Sequence, residues 1–308
     1  MSTVARAPAL PTHRRETLGE RAKAERRLGI LLSAPAVIVL LAVAGYPILN
    51  AAYLSLFDYR LTDSGERTFV GLENYRVILT DDLWWTDFGT TLLITVVTVS
   101  FEMVLGFAFA LVMHHIIFGR DVVRTAILVP YAVITVVSAY AWQYAFASDS
   151  GFINPWLGLT TDWFGERNTS LVVICLSEIW KTTSFVSLLL LAGLAQVPDE
   201  LHQAATVDGA NWWQRFTRVT IPNMQGAIMV ALLFRVIDAF RIFDNVFIMT
   251  AGAENTETLS ILAYRQTISR AEMGLGSAVS ILLFLSVLLI CVFFIKVLRT
   301  PVGRVRGE

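Results

Sequence analysis

Apolar residues in this chain are gathered in blocks of twenty or more, the length at which a helix crosses a hydrocarbon layer of ~30 Å. The blocks fall at roughly 29–56, 88–113, 123–147, 169–194, 224–250 and 275–298. Lipid offers backbone groups no partner, so only helices and closed barrels span it, and these blocks lack the period-two alternation of a barrel strand. The expectation is an all-α integral membrane protein with six transmembrane helices. The first block, from Gly29, is too long for a signal-peptide core and reads as an uncleaved span. Composition agrees: 55% of residues are hydrophobic and 16% charged, against ~45–50% and ~25% in soluble domains. A soluble enzyme, a disordered chain and a nucleic-acid binder are excluded.

Lysine and arginine set the orientation. Segments on the N-terminal side of the membrane carry 15 basic residues, whereas the opposite side carries six against 13 acids. Six spans place both termini on one face, and the bias makes that face cytoplasmic. The chain thus divides into a basic cytoplasmic tail (1–28), a membrane domain (29–298) and a cytoplasmic C-terminal tail (299–308). Cys175 and Cys291 lie within apolar blocks and suggest no disulfide framework.

Seven ionisable residues fall inside the spans: Glu102, Glu178, Lys181, Arg235, Asp238, Arg241 and Asp244. Each costs ~2.5–3.5 kcal/mol at the centre of a lipid-facing helix, so they should face protein or water. Glu178/Lys181, Arg235/Asp238, Asp238/Arg241 and Arg241/Asp244 are spaced i, i+3 and can pair along one helix. In one reading they line a path for a hydrophilic solute, with Glu178, Thr182 and Phe185 on one face of the fourth span. Arg235, Asp238, Ala239 and Ile242 share a face of the fifth. Carboxylates and an arginine beside aromatic rings suit a sugar. In the other reading the charges neutralise one another between helices and fix their register.

No G-x-x-x-x-G-K-[ST] loop, H-E-x-x-H, G-x-S-x-G or metal-spaced His/Cys set occurs. The chain is therefore not expected to be an enzyme, nor to hold a metal or ATP by such a loop. Energy for uphill transport would come from an ion gradient, as in an ion-coupled secondary transporter of a small polar solute, or from a partner.

The polar segment 197–222 reads as helix, break, helix. Pro198, Asp199 and Glu200 suit a helix start. Asp208-Gly209 ends the first piece and Asn211 can cap the second. Trp212, Phe216 and Val219 then fall on one side, and Pro222 marks the return to the membrane. A short helix held there suits pushing on another protein, or lying on lipid.

Gln203-Ala204-Ala205, Asp208-Gly209-Ala210 and Ile221-Pro222 closely resemble the coupling motif of ATP-binding-cassette (ABC) importer permeases, with Gln203 where the family has glutamate. Phe69 to Tyr75 resembles the Val-Gly-Leu-x-Asn-Tyr signature of maltose-type carbohydrate permeases, as do Gly151 to Asn154 and Phe240 to Thr250. Gly252-Ala253-Glu254 stands where that group has Gly-Gly-Pro. Glu178 to Thr183 and Asp238 to Asn245 resemble the first permease subunit of mycobacterial trehalose-importing members.

The resemblance implies a type I ABC importer permease fold in a bacterial plasma membrane. It implies a second permease subunit, an ATPase dimer that binds ATP and Mg, and an extracytoplasmic sugar-binding lipoprotein. The cargo would be a disaccharide, trehalose, moving through a path lined by the faces named above. The loop 198–222 would couple to the ATPase through Glu200, Gln203, Ala204, Ala205, Asp208, Gly209, Ala210, Trp213, Phe216 and Pro222.

Overall fold

The computed structural model describes residues 20–62, 67–116 and 119–297. Most of the expected tails, 1–19 and 299–308, lie outside the described residues. The chain comprises two units, Met1–Asn50 and Ala51–Glu308.

The first unit holds helix α1 (Glu20–Leu40), a widened turn at Leu41–Gly45 and the start of α2 (Tyr46–Leu54). The Tyr46 amide reaches back five residues to the Leu41 carbonyl. Pro47 next to it has no amide hydrogen to donate, and a wide turn is a common way for a helix to absorb such a gap.

The second unit begins with a short antiparallel ribbon, β1 (Phe57–Asp58) and β2 (Thr68–Phe69), followed by α3 (Glu73–Thr80). Asn74, within the Val-Gly-Leu-x-Asn-Tyr-like run, is buried and donates to the carbonyls of Ser55 and Phe57 at 2.9 and 3.0 Å. The run thus fastens the chain leaving α2 to α3.

Next come α4 (Asp82–His115), α5 (Arg120–Ala132), α6 (Thr135–Phe146), α7 (Ile153–Leu157) and α8 (Arg167–Leu194). Asp81 caps α4 by accepting from the Leu83 amide. Along α4 the buried positions include Thr91, Thr95, Thr98, Glu102, Gly106 and Ala110, a stripe three or four residues apart. Leu92, Val96, Phe101 and Val104 are exposed. Small and hydroxylated residues inside with apolar ones outside is the pattern of helices packed in lipid, where burial of apolar surface drives little. At Gly106 a Cβ would sit 2.6 Å from Val186 Cγ1, so α4 and α8 approach closely only because that position has no side chain.

Among the described residues four helices are long and apolar enough to cross a membrane: Glu25–Leu54, Asp82–His115, Arg167–Leu194 and Met273–Lys296. They match the first, second, fourth and sixth expected spans. The third and fifth differ. Residues 123–147 form no continuous helix: α5 and α6 meet at 90° across Val133-Ile134. Pro130 lies inside α5, and its missing amide hydrogen weakens the helix just ahead of the bend.

After α9 (Asp199–Val207), α10 (Trp212–Arg215) and the short turn α11 (Ile221–Asn223), the fifth expected span, 224–250, is α12 (Gln225–Phe240), a break at Arg241–Phe243, and α13 (Asp244–Met249). At that break the Arg241 and Ile242 amides bond only three residues back, to Asp238 and Ala239. The Ile242 carbonyl is taken by the Thr258 hydroxyl instead of a helical amide.

The connection after α13 places Ala251, Gly252, Glu254 and Asn255 at positive φ. Within it Glu257 is buried and pairs with Arg265 at 2.8 Å. Burial pushes its carboxyl above the usual range, against the pull of Arg265 and Arg270. Then come α14 (Leu259–Tyr264) and α15 (Met273–Val297).

Candidate functional site

Two places combine the residues singled out in the sequence. The first is a cavity of about 450 Å³ where α8 faces the α5–α6 bend and the α12–α13 break. Glu178, Lys181 and Thr182 line it from α8, and Tyr131 and Thr135 from the two arms of the bend. Asp238, Arg241, Ile242, Phe243, Asp244 and Asn245 complete the wall. Because the chain breaks here between α12 and α13, six residues of Asp238–Asn245 reach one cavity, which a regular helix with one apolar face could not arrange.

Beside the cavity the charges form one network centred on Arg235, which is 1% exposed. Its guanidinium donates to Glu102 through Nε and, at 3.0 Å, through Nη2. Nη2 also reaches Glu178 at 2.7 Å, and Nη1 reaches Asp238 at 2.6 Å. The other Glu178 oxygen accepts from Asn245 Nδ2. Thr182 donates to Glu102 at 2.6 Å. One planar fork thus ties α4, α8 and α12 together, a geometry suited to arginine and not to lysine.

The candidate path residues therefore separate. Glu178, Thr182, Asp238 and Ile242 line the cavity. Arg235 lies behind them as the tie between helices. Ala239 is buried against Val99 and Val236. Phe185 stacks on Tyr131 at 5.3 Å and supports the wall from outside. The expected i, i+3 pairing holds for Arg235 with Asp238. Among the described residues no ion pair joins Glu178 to Lys181, Asp238 to Arg241 or Arg241 to Asp244. Sequence spacing missed Tyr131, Thr135, Phe243 and Asn245 as lining residues. It also missed Glu102 as the partner of Arg235, 133 residues away. Asn245 had one visible signal, its place beside Asp244 at the end of the charged run.

The second place is the segment after α8. Helix α9 (Asp199–Val207) ends at Asp208, and Gly209 follows at φ +78°. Asn211 caps α10 (Trp212–Arg215) in a reciprocal pair: its side chain accepts from the Gln214 amide while Gln214 accepts from the Asn211 amide, both at 2.8 Å. Arg215 reaches back to Thr206 at 2.7 Å and fixes the angle between the two helices. Trp212 and Phe216 stack at 5.4 Å, and Phe216 rests edge-on against Phe107 of α4.

Of the candidate coupling residues, Glu200, Gln203, Ala204, Asp208, Gly209, Trp213 and Pro222 are exposed. Ala205, Ala210 and Phe216 are half-buried. Val207 and Trp213 stand 87% and 61% exposed on this rigid elbow, a protruding surface rather than a core.

The chain resembles known proteins over most of its length. Residues 102–301 match the family described as binding-protein-dependent transport system inner membrane component. The chain is 48% identical over 287 residues to the trehalose transport system permease protein SugA of Mycobacterium tuberculosis, covering 92% of this chain and 94% of that one. It is 37% identical over 283 residues to the trehalose/maltose transport system permease protein MalF of Thermococcus litoralis, covering 89% and 95%. Among solved structures, a chain of the bacterial alginate ABC transporter in complex with an alginate pentasaccharide-bound periplasmic protein superposes with a TM-score of 0.78. That match is 21% identical and covers 92% and 97% of the two chains.

Proposed function

Since this chain belongs to the family of binding-protein-dependent transport system inner membrane components, we propose that its cavity carries trehalose and that segment 198–222 couples it to an ATPase. The chain is a multi-pass membrane permease of an ABC sugar importer. One observation supports the finer reading most strongly. The single helix α8 brings Glu178 and Thr182 to the cavity and runs at its other end straight into the exposed elbow.

The α5–α6 and α12–α13 pairs count as the third and fifth of six spans, with both termini cytoplasmic by the distribution of basic residues. The membrane domain extends over 29–298. A second permease completes the path, an ATPase pair holds ATP and Mg below, and an extracytoplasmic binding lipoprotein delivers sugar above. ATP binding favours one of two conformations of the assembly, and hydrolysis releases the other, which is what alternating access requires. Glu178, Thr182 and Asp238 offer hydrogen bonds to sugar hydroxyls while Ile242, Phe243 and Tyr131 cover its C–H faces.

The test is uptake of labelled trehalose by cells lacking this chain, complemented by wild type or by Asp238→Ala. The Asp238 side chain is 73% exposed and is one of three carboxylates on Arg235, so its removal leaves the tie in place. Wild type restores uptake, and Asp238→Ala assembles normally with KM raised about tenfold, the loss of one hydrogen bond to a charged group. Unchanged uptake without the chain would sink the trehalose assignment. An unchanged KM in the variant would remove Asp238 from the path.

A further inference from the structure

Lys181 is 7% exposed, lies in the middle of α8, and among the described residues has no carboxylate within ion-pair distance. Glu178, three residues earlier, already gives its oxygens to Arg235 and Asn245. The Lys181 ammonium instead donates to the Val133 carbonyl at 2.6 Å and sits 5.7 Å over the Tyr131 ring. Val133 is the residue at which α5 stops and the 90° bend begins. One turn along α8, Ser184 donates to the Ile127 carbonyl at 2.6 Å, on the other side of Pro130.

A bend in a membrane helix frees carbonyls that lipid cannot satisfy, and they must find donors on a neighbouring helix. Here Lys181 on α8 provides the donor for Val133, and Ser184 adds a second bond from α8 to α5. Val133 lies between Tyr131 and Thr135, which line the cavity on the two arms of the bend.

We infer that Lys181 is a positioning residue: its hydrogen bond to Val133 holds the α5–α6 bend, and through it Tyr131 and Thr135, at the distance from Glu178 and Thr182 that fits the sugar. This rests on the proposed sugar path. An ammonium explains the choice of residue, since one donor can bond the carbonyl while the charge lies over the tyrosine face. A methionine of similar length would fill the space and leave the carbonyl unpartnered.

The experiment compares wild type, Lys181→Met, Lys181→Gln and Lys181→Arg in the complete transporter. Hydrogen exchange of the amides of 131–137 is measured without sugar, and trehalose uptake alongside. Lys181→Met exchanges about tenfold faster at the bend, the sign of a local opening made easier. Its KM for sugar rises about tenfold while kcat changes little, the cost of misplaced contacts. Lys181→Arg and, in part, Lys181→Gln return both readouts toward wild type, because each still has a donor for Val133. Should the methionine variant not assemble, the glutamine–arginine comparison decides, with glutamine the faster in exchange.

Unchanged exchange in Lys181→Met overturns the inference even if uptake falls, since Lys181 would then act on the sugar directly. An arginine variant as fast as methionine overturns it too. Wild-type complex that takes up no sugar would count against the proposed cargo alone, because the exchange readout needs none.

Discussion

Arg235→Met is expected to prevent accumulation of the folded chain, not merely to slow transport. The guanidinium donates to Glu102, Glu178 and Asp238 at once, and Glu102 is completely buried. Removing one member of a buried ion pair leaves its partner charged and unpaired, at about 3–5 kcal/mol. Here two buried carboxylates lose their partner together. Fluorescence-detected size exclusion of the detergent extract with a thermal challenge measures it: the variant elutes as aggregate or melts well below wild type. The double variant Glu102→Gln/Arg235→Met recovers part of the loss, because it removes the charge that was stranded. The non-additivity is the signature of direct contact. A stable Arg235→Met chain that assembles normally but transports nothing would contradict this and place Arg235 in the path.

Gly209→Val is expected to abolish ATP-driven uptake while leaving the chain inserted. Gly209 has φ +78°, a region that costs a residue bearing a Cβ roughly 1–2 kcal/mol and a β-branched one more. Open space surrounds the position, with nothing within 4 Å of an added Cβ, so the effect comes from the backbone and not from a clash. The turn between α9 and α10 relaxes to another angle, the Arg215–Thr206 tie breaks, and the exposed elbow no longer presents one shape to a partner. Gly209→Asn, which tolerates the left-handed region, keeps most uptake. Affinity purification of the complex with an uptake assay separates the outcomes. Gly209→Val should lose ATPase subunits or lose coupling, whereas wild-type uptake in that variant would remove the segment from the coupling path.

What the sequence disclosed follows the range of the forces involved. Caps, breaks and apolar length act within a few residues, so four spans and the elbow were legible. Asp208-Gly209 and Asn211 carry their roles in residue type alone. The bend at Val133-Ile134 was signalled only by Pro130 just ahead of it, and the break at Arg241–Phe243 by nothing, because apolar length alone does not separate a straight span from one whose freed carbonyls are met by Lys181 and Thr258. The partners of Arg235 were legible only in part: Asp238 lies one turn away, but Glu102 and Glu178 come from other helices. Spacing along one helix therefore favoured Glu178 with Lys181, whereas in the fold Lys181 serves a backbone carbonyl and Glu178 serves Arg235. The cavity wall was legible as a set of polar positions, but its membership depends on a break that turns Arg241 to Asn245 toward α8.

In the proposed function, this chain passes sugar through its cavity when a partner ATPase acts on its exposed elbow. The most direct measurement is ATP hydrolysis by the purified, liposome-reconstituted complex, with and without a trehalose-loaded binding protein, for wild type and Gly209→Val. Wild type should hydrolyse ATP faster with the loaded binding protein and move trehalose inward in the same vesicles, and Gly209→Val should do neither. If the chain purifies without an ATPase and its vesicles accumulate solute on an ion gradient alone, the coupling account is contradicted.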